Sequence, residues 1–123
     1  MLFQKAPDIQ KKISFLIKKL SFPHLDPKRI VAFRSFGSRS RARARIWSFP
    51  RIWQKALEVQ PHYCVEVLSE KYDCLSSDQQ IQVLIHELLH IPKNFSGALL
   101  PHRGRGRRID SQEVEKLFKK IKD

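Results

Sequence analysis

A histidine, a glutamate and a second histidine occur within one short stretch, His86-Glu87-Leu88-Leu89-His90. On an α-helix, which turns about 100° per residue, the histidines lie on adjacent turns with Glu87 beside them, so all three side chains face one cleft. Neutral imidazoles bind zinc well, and zinc lowers the pKa of a bound water toward neutrality. This HExxH spacing predicts that His86 and His90 bind zinc. It also predicts that Glu87 takes a proton from the water and passes it to the leaving amine of a peptide.

A catalytic zinc site has a third protein ligand and leaves the fourth position to water. The metzincin pattern would need a glycine and a histidine at the positions where this chain has Lys93 and Ser96. We expect His102, in the Gly- and Pro-rich loop that follows, to be the third ligand. Glu113 or Asp110 would serve in a glutamate-type site, although both also fit as capping residues of the last helix. A pair of structural histidines without a metal is the remaining alternative.

The motif must lie on a helix, and the sequence marks where that helix begins. Ser76 and Gln79 form a capping-box pattern, and the apolar run that follows continues to Pro92. Apolar residues on the arc opposite the histidines would anchor the helix and leave the ligands facing the cleft. These residues are Ile81, Leu84, Ile85, Leu88 and Leu89.

The spacing of apolar residues predicts the elements around this helix. A last helix is predicted after a hydrophobic staple of Ile109 and Val114. The other predicted elements are a helix over 7–20, strands over 29–36, 40–48 and 62–68, and a short helix over 50–57 that begins with Pro50.

These elements predict a single domain, residues 1–123, with an α+β, minimal zincin-like fold. A small, mostly antiparallel sheet of about three strands would pack on the HExxH helix, between an N-terminal and a C-terminal helix. We expect strand 62–68 to form the edge of the cleft, where an extended peptide would pair with it.

The chain carries 24 basic and 12 acidic residues, a formal net charge of +12. Such a field attracts polyanions such as nucleic acid, and a solvated basic surface is the alternative interpretation. Alternation places Arg41, Arg43 and Arg45 on one face of strand 40–48, where they could contact phosphates. A second basic cluster comprises Arg103, Arg105, Arg107 and Arg108, and stacking surfaces could come from Trp47, Phe49 and Trp53, unless these are core residues.

Cys64 and Cys74 match neither a redox pair nor a paired-knuckle zinc site, so we expect ordinary thiols. Residues 1–12 lack the apolar segment of a secretion signal, and no apolar run is long enough to span a bilayer. We therefore expect a soluble, cytoplasmic protein without a membrane partner.

The motif and its surroundings resemble a known family. The run 86–92 (HELLHIP), followed by 95–97 (FSG) and 101–102 (PH), looks like the signature of the small predicted metallopeptidases of archaea and their viruses. The segments 50–54 (PRIWQ) and 65–67 (VEV) also resemble that family. More distantly, the spacing is similar to that of the SprT-like proteases, which include enzymes that cut proteins crosslinked to DNA.

This resemblance implies a minimal zincin fold with His86, His90 and His102 as zinc ligands and Glu87 as the catalytic acid and base. We therefore predict a zinc-dependent metalloendopeptidase that hydrolyses a peptide or protein substrate. Two alternatives stay open. One is a basic nucleic-acid-binding module with a structural or vestigial zinc site, and the other is a toxin-like or regulatory protein that keeps the scaffold without turnover.

Overall fold

The computed structural model describes residues 1–102 and 109–122, and this part of the chain has an α+β fold built on a four-stranded mixed sheet. The α+β class predicted from the sequence is confirmed. The strands are β1 (Leu2–Lys5), β2 (Ile30–Phe36), β3 (Ala44–Trp47) and β4 (Tyr63–Leu68). The helices are α1 (Pro7–Lys19), α2 (Arg51–Leu57), α3 (Ser69–Tyr72), α4 (Ser77–Leu88) and α5 (Ser111–Lys122), and a 3-10 turn covers Pro27–Arg29.

The strands lie in the order β1-β2-β4-β3. β2 and β4 form a parallel pair, with Ala32 opposite Val65, and the two outer pairs are antiparallel. β4 is buried along nearly its whole length, as is typical of a central strand in a partly parallel sheet. The edge strands of the described sheet are therefore β1 and β3.

One face of the sheet packs on the helices. Side chains on this face of β2 and β4, including Ala32, Val65 and Val67, join one hydrophobic core with the apolar stripes of α1 and α4. The apolar residues of each helix repeat at helical spacing, so they lie on one face and are buried together against the sheet. They consist of Ile9, Ile13, Leu16 and Ile17 in α1 and of Leu84, Ile85 and Leu88 in α4.

The helix that carries the motif begins where the sequence predicts. The Ser76 hydroxyl accepts a hydrogen bond from the Gln79 N–H at 3.2 Å, and the Gln79 side chain accepts one from the Ser76 N–H at 3.1 Å. These two bonds complete the capping box. The regular helix ends at Leu88, earlier than predicted, because the N–H of His90 donates to the carbonyl of Glu87 and tightens the last turn.

The closing helix α5 packs against α4. An Asp110 carboxylate oxygen accepts a hydrogen bond from the N–H of Glu113 at 3.0 Å, so Asp110 caps this helix. Ile109 and Val114 are both buried, as a hydrophobic staple requires. Within the described ranges, no helix is both long and apolar enough to cross a bilayer.

The strands differ from the sequence prediction in three ways. Strand β1 is not predicted, because its four side chains are all exposed and leave no apolar alternation. Strand β3 is shorter than the predicted 40–48, because the hydroxyls of Ser38 and Ser40 accept hydrogen bonds from the N–H groups of Ser40 and Ala42 and replace strand pairing there. The prediction that strand 62–68 forms the cleft edge is wrong, since β4 lies between β2 and β3.

The helices differ in two smaller respects. Pro50 is the N-cap of α2 and precedes its first helical residue, Arg51. The single turn α3 also has no counterpart in the sequence prediction, because four residues are too few to show a helical period.

Candidate metal centre

Three histidines from separate parts of the chain converge on one point. His86 lies on α4, His90 lies in the tightened turn after it, and His102 lies in the loop before α5. The Nε2 atoms of His86 and His102 are 3.1 Å apart. One ring nitrogen of each of the three histidines lies within 4.8 Å of the other two. The structure therefore brings together the three residues that the sequence names as ligands.

The orientation of the His90 ring is fixed by a backbone carbonyl. Its Nδ1 lies 2.6 Å from the carbonyl oxygen of Leu100, and because a carbonyl can only accept, Nδ1 carries the proton. The Nε2 lone pair is left for a metal, as is usual when the other ring nitrogen of a ligating histidine donates to a carbonyl. In return, the N–H of Leu100 donates to the carbonyl of His90 at 2.7 Å.

Burial favours the neutral form of two of these rings. Burial, with smaller contributions from the nearby His90 and His102, lowers the pKa of His86 to about 4. Burial also lowers the pKa of His90, although the bond to Leu100 acts in the opposite direction. Protons compete with metals for imidazole nitrogens, so rings that are neutral at neutral pH favour metal binding.

The spacing and the donor types suit a tetrahedral metal such as zinc. With zinc–nitrogen bonds of about 2.0–2.1 Å, two ligand nitrogens lie about 3.3 Å apart. The observed 3.1 Å between His86 and His102 is close to that value. The cluster contains three histidines and no fourth His, Cys, Asp or Glu from the described residues, which leaves one position of a tetrahedron for water or substrate. Glu113 and Asp110, the alternative ligands, do not belong to it.

Glu87 lies beside the histidines in the same cleft and is only 7% exposed. Burial raises the pKa of its carboxyl to about 7. A carboxyl with a pKa near neutrality can both accept and release a proton under physiological conditions. Glu87 thus provides a desolvated carboxyl beside the histidines in the metal-free protein.

The cleft around the cluster has a volume of about 1130 Å³ and is open to solvent. One wall is formed by α4 with His86 and Glu87. The cleft is also lined by residues 40–46, which lead into and include most of β3. The remaining lining comes from the loop residues Leu99, Leu100 and Pro101 and from α5 through Ser111, Val114 and Glu115.

A comparison with protein families agrees with this geometry. A family model described as "Putative phage metallopeptidase" matches residues 1–122. The chain belongs to this family. No curated protein and no solved structure matched the chain. The metallopeptidase resemblance of the motif is confirmed at the level of the phage metallopeptidase family, whereas the likeness to SprT-like proteases stays a prediction.

The three arginines predicted to form one cationic face have different surroundings. Arg45 is half-buried, and its Nε lies 3.7 Å from the carboxylate of Glu66. Arg41 and Arg43 are exposed, and neither side chain forms a hydrogen bond or ion pair with a described residue. The second basic cluster, Arg103, Arg105, Arg107 and Arg108, lies outside the described residues.

The loop that leads to His102 is anchored to the sheet by Tyr63. The hydroxyl of Tyr63 donates to the carbonyl of Ala98 and accepts from the N–H of Gly97, both at 2.8 Å. The ring packs edge-on against Phe95, with ring centroids 5.0 Å apart. Tyr63 therefore holds the loop that leads to His102. The sequence gives no signal for this role, because Tyr63 is one apolar residue in a strand pattern.

A second anchor is Gln54 on α2, whose side-chain amide donates to the carbonyls of Phe49 and Ser96 at 2.8 and 2.9 Å. Gly97 has a φ of +94°, and a Cβ atom there would lie 2.2 Å from Nε2 of Gln54 and 2.5 Å from the carbonyl oxygen of Phe49. Only glycine fits this position. The sequence shows a glycine in the loop, but it does not show which side chain approaches it.

Proposed function

We propose that this protein is a zinc-dependent endopeptidase in which His86, His90 and His102 hold the metal and Glu87 is the general base. The observation that supports it best is the meeting of three histidine nitrogens within 4.8 Å, in a cleft that also contains Glu87. Membership of the phage metallopeptidase family supports the same class of reaction.

The choice of zinc rests on the donor set. Three imidazoles without a thiolate, and with one tetrahedral position open, are typical of catalytic zinc sites. When bound there, zinc would act as a Lewis acid toward water and toward the scissile carbonyl. The chain's own contribution is to orient the ligands, and the paired bonds between His90 and Leu100 do so for His90.

Glu87 would move the proton that hydrolysis requires. Its carboxylate takes a proton from the attacking water and then gives it to the nitrogen of the leaving amine, so the base is regenerated at the end of the cycle. In the metal-free protein, burial raises the pKa of Glu87 to about 7. A nearby cation would lower this pKa again and favour the ionised base.

Strand β3 would hold the substrate. The N–H of Leu68 donates to the carbonyl of Arg43 at 3.0 Å, and Arg45 lies opposite Glu66. In an antiparallel pair the backbone groups of alternate residues point inward, so those of Ala44 and Ile46 point to the unpaired edge. An extended peptide could add to this edge as a further strand and pass the metal centre across the cleft.

The competing function is a nucleic-acid-binding module in which zinc is only structural. A structural zinc site is closed by a fourth protein ligand, and the cluster offers three among the described residues. This observation favours the catalytic assignment.

The experiment is cleavage of an unfolded protein, such as casein, by full-length protein loaded with zinc. We expect fragments, their loss on removal of zinc with a chelator, and their return when zinc is added. Glu87→Gln should bind zinc as the wild type does and produce no fragments, because ligation survives while proton transfer fails. Equal cleavage by Glu87→Gln would assign the base to another group, and zinc binding without any cleavage by the wild type would contradict the peptidase proposal.

A further inference from the structure

The face of the sheet that lies opposite the helices has a patch of aromatic side chains. Phe3 on β1 and Trp47 on β3 are each 49% exposed, and Phe33 on β2 lies between these strands and is half-buried. We call these three residues the aromatic face. A contiguous patch of exposed aromatic side chains usually marks a binding surface, because apolar side chains without a partner are normally buried in the core of the protein.

Two adjoining hollows lie on this surface. The smaller one has a volume of about 230 Å³ and is lined by the three rings of the aromatic face together with Cys64 and Glu66. The larger one, about 460 Å³, shares the rings of Phe33 and Trp47 and extends to Lys5 and His62. Both are shallow and mostly apolar, which suits flat rings that stack side by side.

The indole of Trp47 is held in a fixed orientation although it is half exposed. Its Nε1–H donates to the Glu66 carboxylate at 2.8 Å, and the Ser35 hydroxyl donates to the other oxygen of that carboxylate at 2.5 Å. A ring that is already ordered loses less entropy when a ligand stacks on it. Glu66 is only 1% exposed and has Arg45 beside it, so its charge is shielded from an anionic ligand.

Cations lie on both sides of the aromatic face. The strand register places Lys5 opposite Phe33, Phe33 opposite Glu66, and Glu66 opposite Arg45, so a cation stands at each end of this row. The exposed Arg41 and Arg43 lie just before β3 and form no ion pair with any residue of the described ranges. The chain as a whole has a formal net charge of +12, which attracts polyanions rather than basic partners.

We propose that the aromatic face binds single-stranded nucleic acid, with bases stacked on Trp47 and Phe3 and phosphates near Arg41 and Arg43. Unpaired bases can stack on such rings, whereas the bases of a duplex are already stacked on one another. Flat rings combined with cations that form no ion pair within residues 1–102 and 109–122 favour this ligand over a protein partner, which would need only the apolar surface. Arg41 and Arg43 also line the cleft of the metal centre, whereas the rings of the aromatic face do not. Stacking on these rings does not require peptidase activity.

The test is fluorescence anisotropy with a labelled oligo(dT) strand of about 15 nucleotides, measured with full-length protein at about 50 and 200 mM salt. We expect binding that weakens steeply with salt and is unchanged when a chelator removes the metal. Trp47→Ala and Phe3→Ala should each weaken binding by roughly tenfold, and Trp47→Phe should retain most of it, because a ring remains for stacking. Phe3 is exposed on an edge strand, so its loss should not disturb folding.

Two matched controls separate stacking and charge from general effects. Trp53→Ala removes a tryptophan that is 55% exposed on α2, outside the aromatic face, and should leave binding unchanged. Arg41→Gln with Arg43→Gln should reduce the slope of log affinity against log salt by about 0.7 for each lost phosphate contact. Lys18→Gln with Lys19→Gln at the end of α1 removes the same charge and should have a smaller effect on this slope.

Three outcomes would overturn the proposal. One is the absence of binding at about 50 mM salt, where electrostatic attraction is strong. Another is equal loss of affinity in Trp47→Ala and Trp53→Ala, which would show that the aromatic face is not the site. The last is self-association of the wild type that Phe3→Ala abolishes, seen by sedimentation, since the face would then be covered by a second copy of the chain.

Discussion

His90 and Leu100 are joined by two reciprocal hydrogen bonds, one from the imidazole Nδ1 to the Leu100 carbonyl at 2.6 Å and one from the Leu100 N–H to the His90 carbonyl at 2.7 Å. The first bond directs Nε2 of His90 toward the cluster. The second holds the loop beside the end of α4, close to where His102 follows in the chain. One pair of residues therefore orients one candidate ligand and positions another.

His102 should be the most exposed and most easily removed of the three ligands. We expect His102→Ala to weaken zinc binding by roughly tenfold or more while the helices stay intact, because two imidazoles alone form an incomplete site. Zinc affinity measured by competition with a chromogenic chelator, together with circular dichroism, checks both points. His62→Ala is the matched control, since His62 bonds to the carbonyl of Gln60 outside the cluster. A normal affinity in His102→Ala would exclude this histidine as a ligand.

The buried carboxyl of Glu87 should make the metal-free protein less stable at high pH. Burial raises its pKa from 4.5 to about 7, so the folded state holds a proton that the unfolded state has released. The stability that the protonated carboxyl gives to the folded state is fully present below pH 4.5 and is lost as the pH rises through about 7. Glutamine does not ionise, so the stability of Glu87→Gln does not have this pH dependence. We therefore expect the variant to gain on the order of 3 kcal/mol in unfolding free energy relative to the wild type between about pH 4.5 and 8.

The measurement is denaturant unfolding of both proteins in the presence of a chelator at several pH values. Comparison of the two proteins is necessary because His86 has the opposite effect: its lowered pKa, about 4, adds stability above that value as the pH rises to 6.5. That term is common to both proteins and cancels in the difference. A difference that stays constant with pH would show that Glu87 is not desolvated.

Tyr63→Phe should loosen the loop without disturbing the strand. The change keeps the ring against Phe95 and removes only the hydroxyl, which leaves the Gly97 N–H without its partner. A buried N–H left unpaired costs about 1–3 kcal/mol. We expect this loss in unfolding free energy and, in addition, weaker zinc binding, because His102 lies further along the same loop. Unchanged zinc affinity would show that the loop is held without Tyr63.

Gly97→Ala should have a larger effect on the same loop. The added methyl group meets Nε2 of Gln54 and the carbonyl of Phe49, and the φ of +94° is unfavourable for alanine. Gln54→Ala removes one of the two obstacles, so the double variant should recover part of the zinc affinity that Gly97→Ala loses. A double variant that is no better than the single one would place the strain in the backbone alone. Chelator competition measures all three variants.

The catalytic part of the site could be predicted from the sequence, because local rules specify it. The capping box at Ser76 sets where α4 begins, and the helical period then places His86 and Glu87 on one face. His102 could be named only from its chemistry and from the loop that contains it, since the path of a loop is set by tertiary contacts. Here those contacts come from Tyr63, and its partner Gly97 is distant in the chain.

The order of the strands could not be predicted by the same means. Alternation within 62–68 indicates a strand but does not say how many neighbours it has, and the parallel pairing of β2 with β4 depends on a crossover through β3 and α2. The surroundings of the arginines could not be predicted either. Arg45 lies beside the buried Glu66, whereas Arg41 precedes the strand altogether. The pattern within one segment does not reveal partners that come from another segment, such as Glu66 beside Arg45.

The central claim is a zinc ion held by three imidazoles with one position open, and X-ray absorption at the zinc edge of the purified full-length protein tests it most directly. We predict one zinc per chain with a first shell of three imidazole nitrogens and one further oxygen, at about 2.0–2.1 Å. In His102→Ala one imidazole should be missing from that shell. A shell that contains sulfur, a shell of four protein ligands, or a wild-type spectrum unchanged by His102→Ala would contradict the account.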